Sequence, residues 1–446
     1  MSDDGKAGKP GDVQLPSRGD APTELEPSQV PPEERARPEG SELLDGASRV
    51  LRDILSGSAL LSVLAVILAL IAGGILIVLT DSNVQATAGY FFSRPSDTVQ
   101  AVWNSLSGAY SALFQGAIYN FGRPTFAQGI RPLTETLTFA TPLIVAGLGL
   151  ALGFRVGLFN IGGQGQILAG AAAAGWVGFS FDLPFPLHMI VAILAGLVAG
   201  GLAGGLVGVL KARTGAHEVI VTIMLNYVIL YLISYFLDTP KLLQAPGSNN
   251  PKTPAEKGSA IFPLLFGPQY RLSIGFILAI IATIVVWYLI NRSNLGFQFR
   301  AVGENANAAR VAGINVKNVY VWALVISGAL VALAGVQQVL GNLTTGFSAD
   351  IDAGIGFSAI TVALLGRSKP VGVFFAGILF GALQAGGYAM QAGQNIPVDI
   401  VLVVQSLIVL FIAAPPLVRA IFHLPAPGPT RRKVPRTSTQ KAVVAK

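Results

Sequence analysis

The feature that most constrains this chain is an apolar run from Ser58 to Thr80, 23 residues without a charge. At about 1.5 Å of rise per residue, such a run crosses the roughly 30 Å hydrocarbon core of a bilayer with some tilt. It follows a polar tail rather than opening the chain, so it reads as an anchor and not as a cleavable leader. The pattern then repeats. Apolar runs at 58–80, 133–153, 158–180, 187–210, 218–237, 272–290, 318–341, 355–366, 370–389 and 397–414 alternate with polar breaks. In lipid every backbone N–H and C=O must be satisfied internally, which points to an all-α, polytopic helix bundle of about ten spans. The run at 355–366 is too short to cross alone and is expected to be broken or re-entrant. Charged residues make up 12% of the 446, against roughly 25% in an ordinary soluble domain.

Three regions follow from this pattern: a tail at 1–57, a transmembrane domain at 58–415 and a basic tail at 416–446. The first tail carries twelve acidic and seven basic residues. Its apolar surface is too small to offset the entropy of ordering, so it is expected to be disordered, with an amphipathic stretch from Glu42 to Leu55. Short loops fix the orientation through their Lys and Arg. Arg155, the Lys211–Arg213 turn, the segment 291–317, the Arg367–Lys369 turn and the C-terminal tail fall on one side. The turns at 181–186 and 342–354 hold neither Lys nor Arg. Both termini are therefore expected in the cytoplasm, with long outer loops at 81–132 and 238–271. The formal charge of +7 thus reports membrane topology, and no nucleic-acid partner is expected.

Catalytic chemistry finds no footing. There are no cysteines and only three histidines, His188, His217 and His423, far apart in the sequence. No metal-ligand spacing, HExxH motif or aspartate pair appears, so no enzyme activity, metal or cofactor is expected of the chain. Polar residues inside spans carry more information, because each must face a cavity or a partner. The third span opens Gly157-Leu158-Phe159-Asn160-Ile161-Gly162-Gly163-Gln164-Gly165-Gln166, which makes a poor lipid-facing helix. Two readings stand: a kinked segment lining a path for a polar, uncharged solute, or amides that tie helices together. In the fifth span Glu218, Thr222 and either Leu225 or Asn226 share a face. Glu218 lies at a span boundary, where an ion-paired helix end is the simpler reading. Asn160, Gln164, Asn226 and Gln337 are candidates for the solute path, and Tyr227 or Phe357 for stacking on a base. In the fourth span Gly196/Gly200, Gly201/Gly205 and Gly204/Gly208 are spaced for close helix contact.

Between spans six and seven, a short helix is expected from Asn305 to Val311, with small residues suited to docking and Gly313 ending it. The segment Arg300-Ala301-Val302-Gly303-Glu304-Asn305, with Ala308-Ala309-Arg310 and Gly313-Ile314-Asn315-Val316, resembles the coupling loop of ABC importer permeases for ribose-type sugars and nucleosides. The stretches GLFNIGGQGQ, HEVIVTIMLNY and GIGFSAITVALLG resemble other signatures of that family, in order, and the likeness is greatest to its nucleoside branch. It covers about 133–416. Many relatives carry Glu where this chain has Gln164.

The resemblance implies an inner-membrane permease subunit moving nucleosides or simple sugars inward by ATP-driven alternating access. Its expected partners are a cytoplasmic ATPase holding ATP and Mg, a second permease chain (the same or different), an external solute-binding protein and membrane lipid. The chain has no GxxxxGK[ST] nucleotide loop of its own. Gly303, Glu304, Asn305, Ala308, Ala309, Arg310 and Gly313 are implied to serve coupling, and Ala309→Trp is expected to abolish uptake without unfolding. An ion-coupled secondary transporter or channel is the alternative; ionisable residues confined to span edges count against it.

Overall fold

The computed structural model describes residues 58–240 and 242–423. The expected disorder of 1–57, the stretch Glu42–Leu55 and the end of the basic tail lie outside the described residues. Helix α1 (Ser58–Thr80) fills the first apolar run. Asp81 then caps α2 (Ser82–Ala88), its carboxylate accepting from Asn83 N at 2.8 Å. The stretch 81–132, expected as a loop, is largely helical. It holds α2, then α3 (Pro95–Ala117) and the single turn α4 (Phe126–Gly129). Helix α3 mixes Asp97, Gln100, Asn104 and Ser residues with one apolar face, so it escapes a search for apolar runs. It packs chiefly on the later helix Pro370–Gln394 and also touches α1, where the Tyr110 hydroxyl donates to Leu70 O.

The family of long helices continues with α5 (Arg131–Arg155), α6 (Gly163–Ser180), α7 (Leu187–Thr214), α8 (Glu218–Asp238) and α9 (Gly275–Arg292). Two short helices follow, α10 (Asn294–Glu304) and α11 (Ala306–Val311), and then α12 (Val316–Gln337), which ends in one wider π turn over Gln338–Asn342. The chain closes with α13 (Ile355–Leu365), α14 (Pro370–Gln394), α15 (Asp399–Ala413) and α16 (Pro415–Ile421). Helix α16 occupies positions expected to belong to the C-terminal tail. Among the described residues, seven helical runs are long and apolar enough to cross a membrane, or eight if α15 and α16, bent by 95°, form one crossing. Ten were expected. The 11 residues of α13 are too few to cross, and α6 starts inside the bundle rather than at its edge.

The glycines of α7 do what their spacing suggests, along one ridge. Gly196, Gly200, Gly204 and Gly208 are buried. A Cβ on Gly204 would stand 2.1 Å from Leu324 O, and one on Gly200 2.5 Å from Gly328 O. Backbone therefore meets backbone where α7 crosses α12, a contact that larger side chains would forbid. Gly201 and Gly205 lie to one side of this ridge and face Val325.

Candidate solute site and coupling surface

Helix α5 stops at Arg155, and Gly157 turns the chain through a left-handed conformation (φ +77°). The chain then runs back alongside α5 as a non-helical strip, 158–162. Leu158 N donates to Gly153 O at 3.0 Å, and a Cβ on Gly153 would contact Leu158 O. Irregular backbone at this depth is tolerated only where protein satisfies it. Asn160, fully buried, accepts from Gly162 N at 2.9 Å and donates to Gln166 Oε1 and Ser327 Oγ, both at 3.1 Å. Ser327 Oγ in turn donates to Gly149 O at 2.7 Å. From α8, Thr222 Oγ1 accepts from Ile161 N, while Asn226 accepts from Gly165 N and donates to Ile161 O, both at 2.9 Å. Asn160 and Asn226 therefore act as substitutes for missing backbone partners, which favours the helix-tying reading for both.

The consequence is that α6 begins in the interior. Gly149, which the Asn160–Ser327 pair reaches, lies six residues before the end of α5, or about 9 Å along the helix. Helix α13 begins there too. A Cβ on Gly356 would stand 2.5 Å from Gln164 N, and α13 runs about 16 Å to the turn where Ser368 O accepts from Arg155 Nε at 3.0 Å. Two helix N-termini thus meet inside the bundle, each presenting N–H groups and the positive end of its dipole. Asp352, 4% exposed, caps α13 by accepting from Gly356 N at 2.9 Å and Gly354 N at 3.2 Å. Gln164 is half-buried at this junction, and the Phe357 ring, 57% exposed, stands beside it in the chain of α13. Discontinuous helices meeting at mid-depth make a common form of solute site in transporters.

The remaining candidates separate from this junction. Tyr227 lies on the outer surface of α8, more than half exposed. Gln337 is ten residues beyond Ser327 on α12, about 15 Å away along the axis. It is buried, donates to Ser273 Oγ at 3.1 Å, and its Oε1 has no partner. Glu218 is ion-paired to Lys211 at 2.6 Å, as its place at a helix start suggested. Ser327 escaped notice in the sequence; a lone hydroxyl in an apolar run was its only signal.

At the end of the bundle where Arg155 lies, Asn305 caps α11, accepting from Asn307 N and Ala308 N at 3.0 Å each. Gly313 follows with φ +84°. Glu304, Ala308 and Arg310 are exposed, and Val311 is 92% exposed, a bare apolar tip. Ala309 differs. It is 4% exposed and packs with Phe299, Val302 and Val316. Gly303 is exposed, but a Cβ there would point inward and stand 2.1 Å from Arg155 O. Ala309→Trp would break this small core and cannot report docking by itself; Ala308 and Val311 are the informative positions.

A family model for the permease component of branched-chain amino acid transport systems matches residues 133–413. The chain belongs to this permease family. The permease is 36% identical over 366 residues to a guanosine ABC transporter permease of Bacillus subtilis, covering 81% of this chain and 95% of that one. It is 35% identical over 289 residues to a glucose ABC transporter permease of Haloferax volcanii (63% and 75% covered). A nucleoside ABC transporter permease of Lactococcus lactis is 35% identical over 289 residues (64% and 79%). No solved structure matches. The permease is a multi-pass membrane protein and a transport subunit, with the segment 300–316 and all three interior signatures inside the matched range.

Proposed function

We propose that the permease carries nucleosides inward as the membrane subunit of an ATP-driven importer in a bacterial inner membrane. The observation that carries this reading is the match to the guanosine permease over 95% of that protein's length. The bare tip of α11 is the surface on which a cytoplasmic ATPase would seat, and ATP with Mg would be held there, not here. A second permease chain is supported by another guanosine ABC transporter permease of Bacillus subtilis, 27% identical over 260 residues. A solute-binding protein would deliver from the opposite face. At the α6–α13 junction, the positive ends of two helix dipoles and the Gln164 amide suit the carbonyls and hydroxyls of an uncharged solute. Phe357, or Tyr227 from a partner-facing surface, supplies a face for stacking a base. Glucose is the second reading, on the strength of the Haloferax relative.

The test is uptake of labelled guanosine, ribose and glucose in cells with and without the gene, repeated with ATP depleted while the ion gradient is held. Gene-dependent guanosine uptake that stops with ATP is expected. Uptake surviving ATP depletion would replace the importer by an ion-coupled carrier. Val311→Asp is expected to cut uptake at least tenfold while the protein still reaches the membrane at normal levels; unchanged uptake would remove α11 as the docking point. Phe357→Ala should reduce guanosine uptake more than ribose uptake, and equal loss would argue against stacking.

A further inference from the structure

At the end of the bundle away from α11, a cavity of about 600 Å³ opens between the C-terminal part of α3, the turn at α4, the start of α5 and the end of α14. Helix α5 fixes its position: Arg131 lines the cavity, and Arg155, 24 residues later in the same helix, abuts the segment at Gly303. That separation is about 36 Å. Three guanidinium groups line the cavity, those of Arg123, Arg131 and Arg271, against the single carboxylate of Glu135. Three positive charges less one leave an excess of two. Arg271 is engaged, its Nη1 donating to Glu135 Oε2 at 3.4 Å. Arg123 and Arg131 are exposed and make no ion pair among the described residues.

The walls are held by bonds that leave those two arginines free. Asn120 N donates to Gly129 O, and the Tyr270 hydroxyl donates to Ala127 O, both at 2.9 Å. Gly116 lets α3 press against Gly386 and Ala389 of α14. A fixed concavity holding two unpaired, mutually repelling cations is complementary to an anion, and guanidinium forks match phosphate oxygens. Its rim is apolar. Phe121 and Phe126 are 71% and 70% exposed, and Phe114 stacks on Phe121 with centroids 6.3 Å apart. Exposed aromatic rings beside cationic groups are the pattern of a membrane–water interface.

We infer that this cavity binds a phosphate-bearing anion, and its aromatic rim favours the headgroup of an anionic phospholipid over free phosphate. The site stands whatever solute the permease carries. The test uses the purified full-length chain in a neutral detergent, with its thermal unfolding midpoint read after adding phosphatidylglycerol, phosphatidylcholine or inorganic phosphate at matched ionic strength. Phosphatidylglycerol should raise the midpoint by about 3 °C or more, and phosphatidylcholine should not. The double variant Arg123→Gln/Arg131→Gln should unfold at the wild-type midpoint without lipid and lose the shift. The charge-matched control Arg94→Gln/Lys252→Gln should keep it. An equal shift from millimolar inorganic phosphate would support the site and assign it to a free anion. No shift with either anion, or a shift retained in the double variant, would overturn the inference.

Discussion

Two regions of the permease that bury polar side chains treat them differently. Around the strip 158–162, Asn160, Gln166, Thr222, Asn226 and Ser327 all find partners in one another or in the backbone. At the opposite end, where the chain between α8 and α9 packs on the turn after α12, the backbone is just as well tied. Glu256 N donates to Thr344 O and Phe262 N to Leu340 O, both at 2.8 Å, and Thr253 pairs with Phe347 in both directions. Yet Gln337 Oε1, Asn342 Oδ1 and both Glu256 carboxylate oxygens are buried without a partner. Leaving a buried polar atom unpaired costs about 1–3 kcal/mol. The first region is a closed joint. The second holds unused accepting capacity, and natural proteins concentrate such exceptions where they act.

The contrast breaks most readily at Asn160. Asn160→Leu removes four hydrogen bonds in a fully buried site and orphans Gly162 N, so we expect a loss of about 3 kcal/mol, seen as a lower unfolding midpoint in detergent. A midpoint unchanged within error would mean that the strip is held by packing alone.

The next largest effect should come from pH. Burial pushes the Glu256 carboxyl from its ordinary 4.5 up to about 8. Between those values the folded chain keeps a proton that the unfolded chain has released, so stability is full below about 4.5 and declines as pH rises through 8. From pH 6 to pH 8 the wild type should lose about 2 kcal/mol, and Glu256→Gln should remove that slope. A wild-type profile that matches the variant would show that the carboxylate finds a donor at this end after all. The smallest change is expected for Gln337→Leu, whose Oε1 has nothing to lose: stability within about 1 kcal/mol of wild type. If uptake falls while stability holds, this end of the bundle takes part in transport.

How much of this was legible beforehand depends on what each residue had to reveal. Apolar length located the long helices to within a few residues, because a bilayer leaves the backbone few other solutions. Helix α3 was missed because its polar positions dilute a one-sided apolar face. The α11 helix was readable to its cap, since Asn305 and Gly313 are local signals. That Ala309 points inward was not, because the direction a small residue faces depends on the tilt of α10 and α12. Composition supplied the amides but not their partners: nothing in the sequence distinguishes Asn160, wholly engaged, from Gln337, half engaged. Glu256 looked like any carboxylate in a loop, and only the folded chain shows Gly175 and Gly178 of α6 pressed against it.

The glycine ridge of α7 has a mechanical consequence. Where Gly200 and Gly204 lie against the backbone of α12, no side chain remains to flex or change rotamer, so the pair resists sliding and behaves as one stiff strut. Any rearrangement that opens one face of the bundle must therefore bend elsewhere. The chain offers that compliance in the glycine turns flanking α13, which places the flexible points beside the α6–α13 junction and leaves the strut as the frame they move against.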